Sequence, residues 1–81
     1  MLVTVYTTPN CMACNSTKRQ FEKLGVRYDE VALDQHPDLV EDFRNAGLTQ
    51  APIVVVDNQK WSGYRHEKIH ALAMRIHREE I

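Results

Sequence analysis

Cys11-Met12-Ala13-Cys14 follows the strand-like run Leu2-Val3-Thr4-Val5-Tyr6 and opens a stretch of helical periodicity; no other cysteine occurs in the chain. No other feature constrains the fold as tightly. A C-x-x-C at a strand-to-helix junction within a short α/β pattern is the arrangement of a thiol–disulfide redox site. The reason is electrostatic. A helix N-terminus presents unpaired backbone N–H groups and about half a positive charge, which favours a thiolate over a thiol. The thiolate is the nucleophile, so a lowered pKa makes it available near neutral pH. Two intervening residues let the second sulfur reach the first and close a small disulfide ring.

Other uses of the pair are weaker. A structural disulfide belongs to secreted proteins, and the first residues lack a basic segment followed by a long apolar run, so no signal peptide is expected. A bridge closing so short a loop also stabilises little. Half of a zinc site needs two further ligands, and no second C-x-x-C exists. His66 and His70 stand four apart, but about fifty residues beyond Cys14, far outside the usual finger spacing of about 12–15. A metal-binding module built on Cys11, Cys14 and histidines is the remaining non-redox reading, and no metal ligand is assigned.

Length and charge narrow the classes further. The chain has 81 residues, which predicts one domain over 1–81, close to the size where a single core becomes marginal. A hydrophobic fraction of 43% with 3 Gly and 3 Pro is ordinary globular composition. The net charge of −1 points to neither nucleic acid nor a membrane surface. No apolar stretch approaches the roughly 20 residues that span a bilayer. The expectation is a small cytoplasmic monomer.

The order of elements follows from periodicity and breakers. Residues 2–6 read as a short buried strand, and Thr7-Thr8-Pro9-Asn10 as a loop with Asn10 as helix N-cap. The first helix carries Cys14, Thr17, Phe21 and Leu24 on one face, and Gly25 stops it. Residues 26–33 read as a second strand in which Glu30 interrupts the apolar alternation. Pro37 suits the first turn of a second helix, whose apolar face is Leu39, Val40, Phe43 and Ala46 and whose stop is Gly47. Ile53-Val54-Val55-Val56 is the strongest strand signal. Asp57-Asn58 reads as a turn, Lys60-Trp61-Ser62 as a returning strand, and Ile69, Leu72, Ala73 and Ile76 as the face of a last helix. The order β-α-β-α-β-β-α predicts a parallel first pair with a right-handed crossover and a hairpin of the last two strands. It is similar to the thioredoxin fold in its minimal form, an α/β domain whose four-stranded mixed sheet is flanked by three helices.

Within this frame Cys11, at the very start of the helix, is expected to attack, and Cys14, one turn in and on the apolar face, to be more buried and to act second. Cys11 thiolate forms a mixed disulfide with a partner, and Cys14 displaces the partner and leaves Cys11–Cys14 oxidised. Lys18, with Arg19 beside it, either adds positive potential near the thiols or belongs to a solvated helix face. Ala51-Pro52 precedes the Ile53 strand directly. From the residues alone a trans bond is the ordinary reading, since about 95% of X–Pro bonds in folded proteins are trans. Trp61-Ser62-Gly63-Tyr64-Arg65 is a second unusual cluster. It is either a core tryptophan followed by a turn, or an aromatic patch that docks a protein.

Tyr6-Thr7-Thr8-Pro9-Asn10-Cys11-Met12-Ala13-Cys14 with Thr17-Lys18-Arg19 resembles the glutaredoxins and NrdH-redoxins. Trp61-Ser62-Gly63-Tyr64-Arg65 is similar to the W-S-G-F-R segment of the NrdH-redoxins in particular, and the resemblance runs the whole length of the chain. It implies a small dithiol–disulfide oxidoreductase that donates electrons to the large subunit of a class Ib ribonucleotide reductase. Its reductant would be thioredoxin reductase, with NADPH as the indirect source and no bound cofactor. It further implies that Cys11 and Cys14 are the redox pair. Pro52 would be a cis-proline facing them, with the Ala51 backbone offering its N–H and C=O to an extended substrate segment. Trp61, Ser62, Gly63, Tyr64 and Arg65 would shape the docking surface, with Trp61 and Tyr64 as anchors. Ala13 and His66-Glu67 depart from the family, which commonly has Gln and Pro-Asp at those positions. The rival is a glutathione-dependent glutaredoxin. Those proteins usually carry a Gly-Gly/Cys-Asp-type segment for the glutathione carboxylate where this chain has Trp61 to His66.

Overall fold

A computed structural model of the chain describes residues 2–57 and 59–79. Among them the order is β1 Val3–Thr7, α1 Met12–Lys23, β2 Asp29–Ala32, a short 3₁₀ turn Leu33–Gln35, α2 Pro37–Asn45, β3 Ile53–Val56, β4 Gln59–Ser62 and α3 His66–Glu79. The four strands form one sheet in the order β2-β1-β3-β4. β1 runs parallel to β2, with Val5 beside Glu30, and antiparallel to β3, with Val5 beside Val54. β3 and β4 form the antiparallel hairpin, with Val54 beside Trp61. This is the minimal thioredoxin fold expected from the sequence.

Period-two alternation builds a core on each side of the sheet. Val3, Val5, Val54 and Val56 pack with Phe21 of α1 and with Ile69, Leu72 and Ala73 of α3. Tyr6, Ile53 and Val55 face the other way, onto Leu33 and the apolar stripe of α2. There the rings of Tyr6 and Phe43 meet edge to face, 4.9 Å between centroids. The sheet is thus fixed from both sides, and the C-terminal end of β1 is held where α1 must begin.

Two glycines stop the first two helices by the same means. Gly25 has φ +72°; its N–H donates to Glu22 O, and Val26 N–H donates to Phe21 O at 2.8 Å. Gly47 has φ +80°, with Leu48 N–H donating to Phe43 O at 2.8 Å. These are Schellman closures, which need the left-handed conformation that glycine adopts at little cost.

The second strand is shorter than the expected 26–33. Val26 uses its N–H to close α1, and Leu33 turns into the 3₁₀ segment, which leaves Asp29–Ala32 for pairing. Along this edge Tyr28 donates its hydroxyl to Glu22 at 2.6 Å. Its pKa is pushed up to about 12, first by burial, then by the Glu22 hydrogen bond and the charges of Glu22 and Glu30. The expected Asp57-Asn58 turn is covered in part: Asp57 has φ +46°, and Asn58 lies outside the described residues.

Candidate active site

β1 delivers the chain to the loop of residues 8–10, and Asn10 turns it with φ +56°. Asparagine tolerates this left-handed conformation. Asn10 is therefore not the N-cap of α1. That position falls to Cys11, at φ −106° and ψ 108°. Its carbonyl accepts the Asn15 N–H at 3.2 Å, and its Sγ accepts the Cys14 N–H at 3.0 Å. The sulfur takes the place of the serine or aspartate oxygen that usually caps a helix.

Cys11 and Cys14 are joined as a disulfide, with their Cα atoms 5.2 Å apart. Cys14 is 1% exposed and shares the buried face of α1 with Thr17 and Phe21, whereas Cys11 is partly exposed. Cys14 is thus the more buried of the two, as expected, and the roles expected of the pair rest on that difference. Cys11 is the sulfur open to solvent, and Cys14 lies behind it. A Cys11 thiolate formed on reduction would have the Cys14 N–H and the helix start as its electrostatic partners. We expect Cys11 to titrate below the free-cysteine value of about 8.5. Alkylation rate against pH measures this, and an apparent pKa at or above that value contradicts the capping argument.

The loop before β3 faces this pair. The Ala51–Pro52 peptide bond is cis, as the resemblance implies, and Ala51 O lies 3.8 Å from Cys11 Sγ. Pro52 is fully buried. The W-S-G segment holds the loop in place. Ser62 Oγ accepts the Gln50 N–H at 2.9 Å and donates to Gln50 O at 2.5 Å. Gly63 N–H donates to Pro52 O at 2.8 Å. At φ +83°, a Cβ on Gly63 would stand 3.5 Å from Gln50 Oε1. Ser62 and Gly63 thus position the backbone that faces Cys11.

The rest of the second cluster divides. Trp61 is 3% exposed and belongs to the core beneath α1 and α3. The expectation that it anchors a partner from the surface is corrected: its pairing opposite Val54 turns the indole inward. Tyr64 is 40% exposed and Arg65 is also exposed, so these two present the segment to solvent.

Lys18 does not stand free beside the thiols. Its ammonium binds both carboxylate oxygens of Glu30, at 3.1 and 3.3 Å, and Thr7 Oγ1 donates to the same carboxylate at 2.9 Å. These hydrogen bonds, from Lys18 first and then Thr7, hold the Glu30 carboxyl below its ordinary range. Glu30 is the residue that sequence reasoning passed over. Its signal was an acidic side chain in the apolar phase of a strand.

At the start of α3 the Glu67 carboxylate lies 3.7 Å from Arg65 Nη1 and 3.6 Å from His66 Nδ1. A hydrogen bond from its own backbone N–H is the main cause that lowers its pKa. The His66 and His70 rings stand edge to face, 6.3 Å apart. Among the described residues no three His, Cys, Asp or Glu side chains gather as a metal site. None of the described helices is long and apolar enough to cross a membrane.

Comparison with known proteins agrees with this geometry. The glutaredoxin family model matches residues 3–61. The glutaredoxin-like protein NrdH of Salmonella typhimurium is 38% identical over 72 residues, 89% of each chain. That of Lactococcus lactis is 33% identical over 72 residues, covering 89% of this chain and 100% of the relative. The solved structure of the glutaredoxin-like protein NrdH-redoxin from Escherichia coli has a TM-score of 0.84 at 35% identity, over 89% of this chain and 95% of that one. It was solved as the structural basis of that protein's thioredoxin-like activity profile. With the Cys11–Cys14 disulfide at the start of α1, these matches show that the chain belongs to the glutaredoxin family, among its NrdH-like members, and is a thiol–disulfide oxidoreductase.

Proposed function

We propose that this protein is a cytoplasmic, monomeric dithiol electron donor for protein disulfides. Its acceptor is the large subunit of a class Ib ribonucleotide reductase, and its own reductant is a thioredoxin reductase fed by NADPH. The Cys11–Cys14 dithiol is the redox group, and no bound cofactor takes part. In the reaction Cys11 thiolate attacks one sulfur of the substrate disulfide and releases the other as a thiol. Cys14 then attacks Cys11 Sγ, the second substrate sulfur leaves, and two electrons and two protons have passed to the substrate. The substrate segment lies along Ala51, pairing with its backbone as a short added strand.

The observation that carries the choice of partner is the start of α3. In a glutathione-dependent protein, a helix start in this region would receive a glutathione carboxylate. Here Glu67 already places a carboxylate there, bonded to its own N–H and flanked by Arg65 and His66. The Glu67 N–H, a donor that a glutathione carboxylate would use, is thus already taken. Ser62 and Gly63, the small residues of the segment, are committed to the Gln50–Pro52 loop. The thioredoxin-like activity profile of the E. coli relative supports the same reading.

A coupled NADPH-oxidation assay tests it. The expected result is turnover with thioredoxin reductase and little with glutathione plus glutathione reductase. A reduction potential nearer the thioredoxin value of roughly −270 mV than the glutaredoxin range of roughly −200 to −230 mV should accompany it. Efficient turnover with glutathione and none with thioredoxin reductase overturns the proposal and leaves a glutathione-dependent glutaredoxin.

A further inference from the structure

Thr7, Glu30 and Lys18 form a polar cluster that the exchange steps do not use. Lys18 follows Cys14 by four residues on α1, and side chains at that spacing are neighbours, with Cβ atoms about 5–6 Å apart. Its side chain is only 24% exposed. An ammonium so placed adds positive potential to the pair, one turn from the Cys14 sulfur and two turns from the Cys11 thiolate. The adjacent strand cancels it, because Glu30 meets Lys18 Nζ with both carboxylate oxygens, at 3.1 and 3.3 Å. Thr7, 6% exposed and next to the loop that leads to Cys11, fixes the carboxylate with a hydrogen bond of 2.9 Å. Glu30 also lines a surface cleft with Thr7, Thr8 and Pro9, which places its charge beside the loop that carries Cys11.

We propose that Glu30 sets the reduction potential of the Cys11–Cys14 pair. By neutralising Lys18 it withholds stabilisation from the reduced, thiolate-bearing form, and so makes the dithiol a stronger electron donor. It touches neither sulfur in the structure and acts through Lys18 as a positioning residue. The step it biases is balanced: the Cys11–Cys14 S–S bond forms, the substrate S–S bond breaks, and two electrons and two protons leave with the substrate thiols. The neighbouring carboxylate of α1, Glu22, is already engaged by the Tyr28 hydroxyl, which leaves Glu30 as the partner of Lys18.

The test uses the full chain equilibrated with a dithiothreitol couple of fixed ratio, its thiols counted by alkylation and mass spectrometry. Glu30→Gln keeps the volume and a hydrogen-bond acceptor for Thr7 but exposes the Lys18 charge. It should raise the ratio of reduced to oxidised protein about threefold, about 14 mV at 29.6 mV per tenfold. Lys18→Met leaves the Glu30 charge alone and should lower that ratio by a similar factor, while the double variant returns to the wild-type value. A purely structural clasp would lower the melting temperature of each variant without moving the equilibrium. An unchanged ratio in both single variants, or a shift of the same sign in both, overturns the proposal. Neither result bears on which reductase or acceptor the protein uses, so this test and the NADPH assay fail separately.

Discussion

Cys11→Ser should carry no electrons between disulfides, and Cys14→Ser should accumulate as a covalent adduct with its substrate. The two sulfurs differ in access and in setting. Cys11 caps α1, is partly exposed, and has Ala51 O at 3.8 Å. Cys14 is 1% exposed behind it. A serine at position 11 is a far weaker nucleophile near neutral pH, because its hydroxyl does not ionise there as a thiol does. Turnover should fall to the uncatalysed background. A serine at position 14 leaves the first attack intact and removes the second, so the mixed disulfide has no internal exit. Mass spectrometry after incubation with a protein disulfide reads both outcomes. An adduct on Cys11→Ser and none on Cys14→Ser would reverse the roles.

The difference in burial was legible in the sequence because helix periodicity alone places Cys14, Thr17 and Phe21 on one face, and those three are the buried residues of α1. The glycine stops were equally plain, since both closures need a positive φ. The hairpin followed from the β-branched run 53–56. What the sequence hid were choices between equivalent local solutions. Asn10 and Cys11 can each cap a helix, and the turn at Asn10 decided for the sulfur. Residues 26–28 have strand-like side chains, yet Val26 lends its N–H to α1, and the strand starts three residues later. Glu30 could be noticed as an acidic residue out of phase. Its partners could not, because Thr7 and Lys18 are 23 and 12 residues away and meet it only when β1, β2 and α1 assemble.

Trp61 and Tyr64 should separate packing from docking. Both are aromatics of one five-residue segment, and residue type does not distinguish them. β-strand alternation does. Trp61 sits opposite Val54 and points into the core, whereas Tyr64 lies past the end of β4 and is 40% exposed. Trp61→Ala should cost about 3–5 kcal/mol of stability, typical for a large buried aromatic. A domain of 81 residues has about 4–12 kcal/mol in total at ~0.05–0.15 kcal/mol per residue. The loss is a large share of that total, so the denaturation midpoint should fall steeply, and any loss of activity should be equal toward every substrate. Trp61→Phe should be milder, since it retains an aromatic ring and removes an indole N–H that has no partner among the described residues. Tyr64→Ala should leave the denaturation midpoint within error and raise KM for a protein disulfide about five- to tenfold, the ~1 kcal/mol or more expected of an interface anchor. Its activity on a small disulfide, which cannot reach Tyr64 while bound at Cys11 as a protein would, should be unchanged. Equal losses on both substrates would place Tyr64 in the fold rather than on the docking surface, and leave Arg65 as the exposed member of the segment to examine.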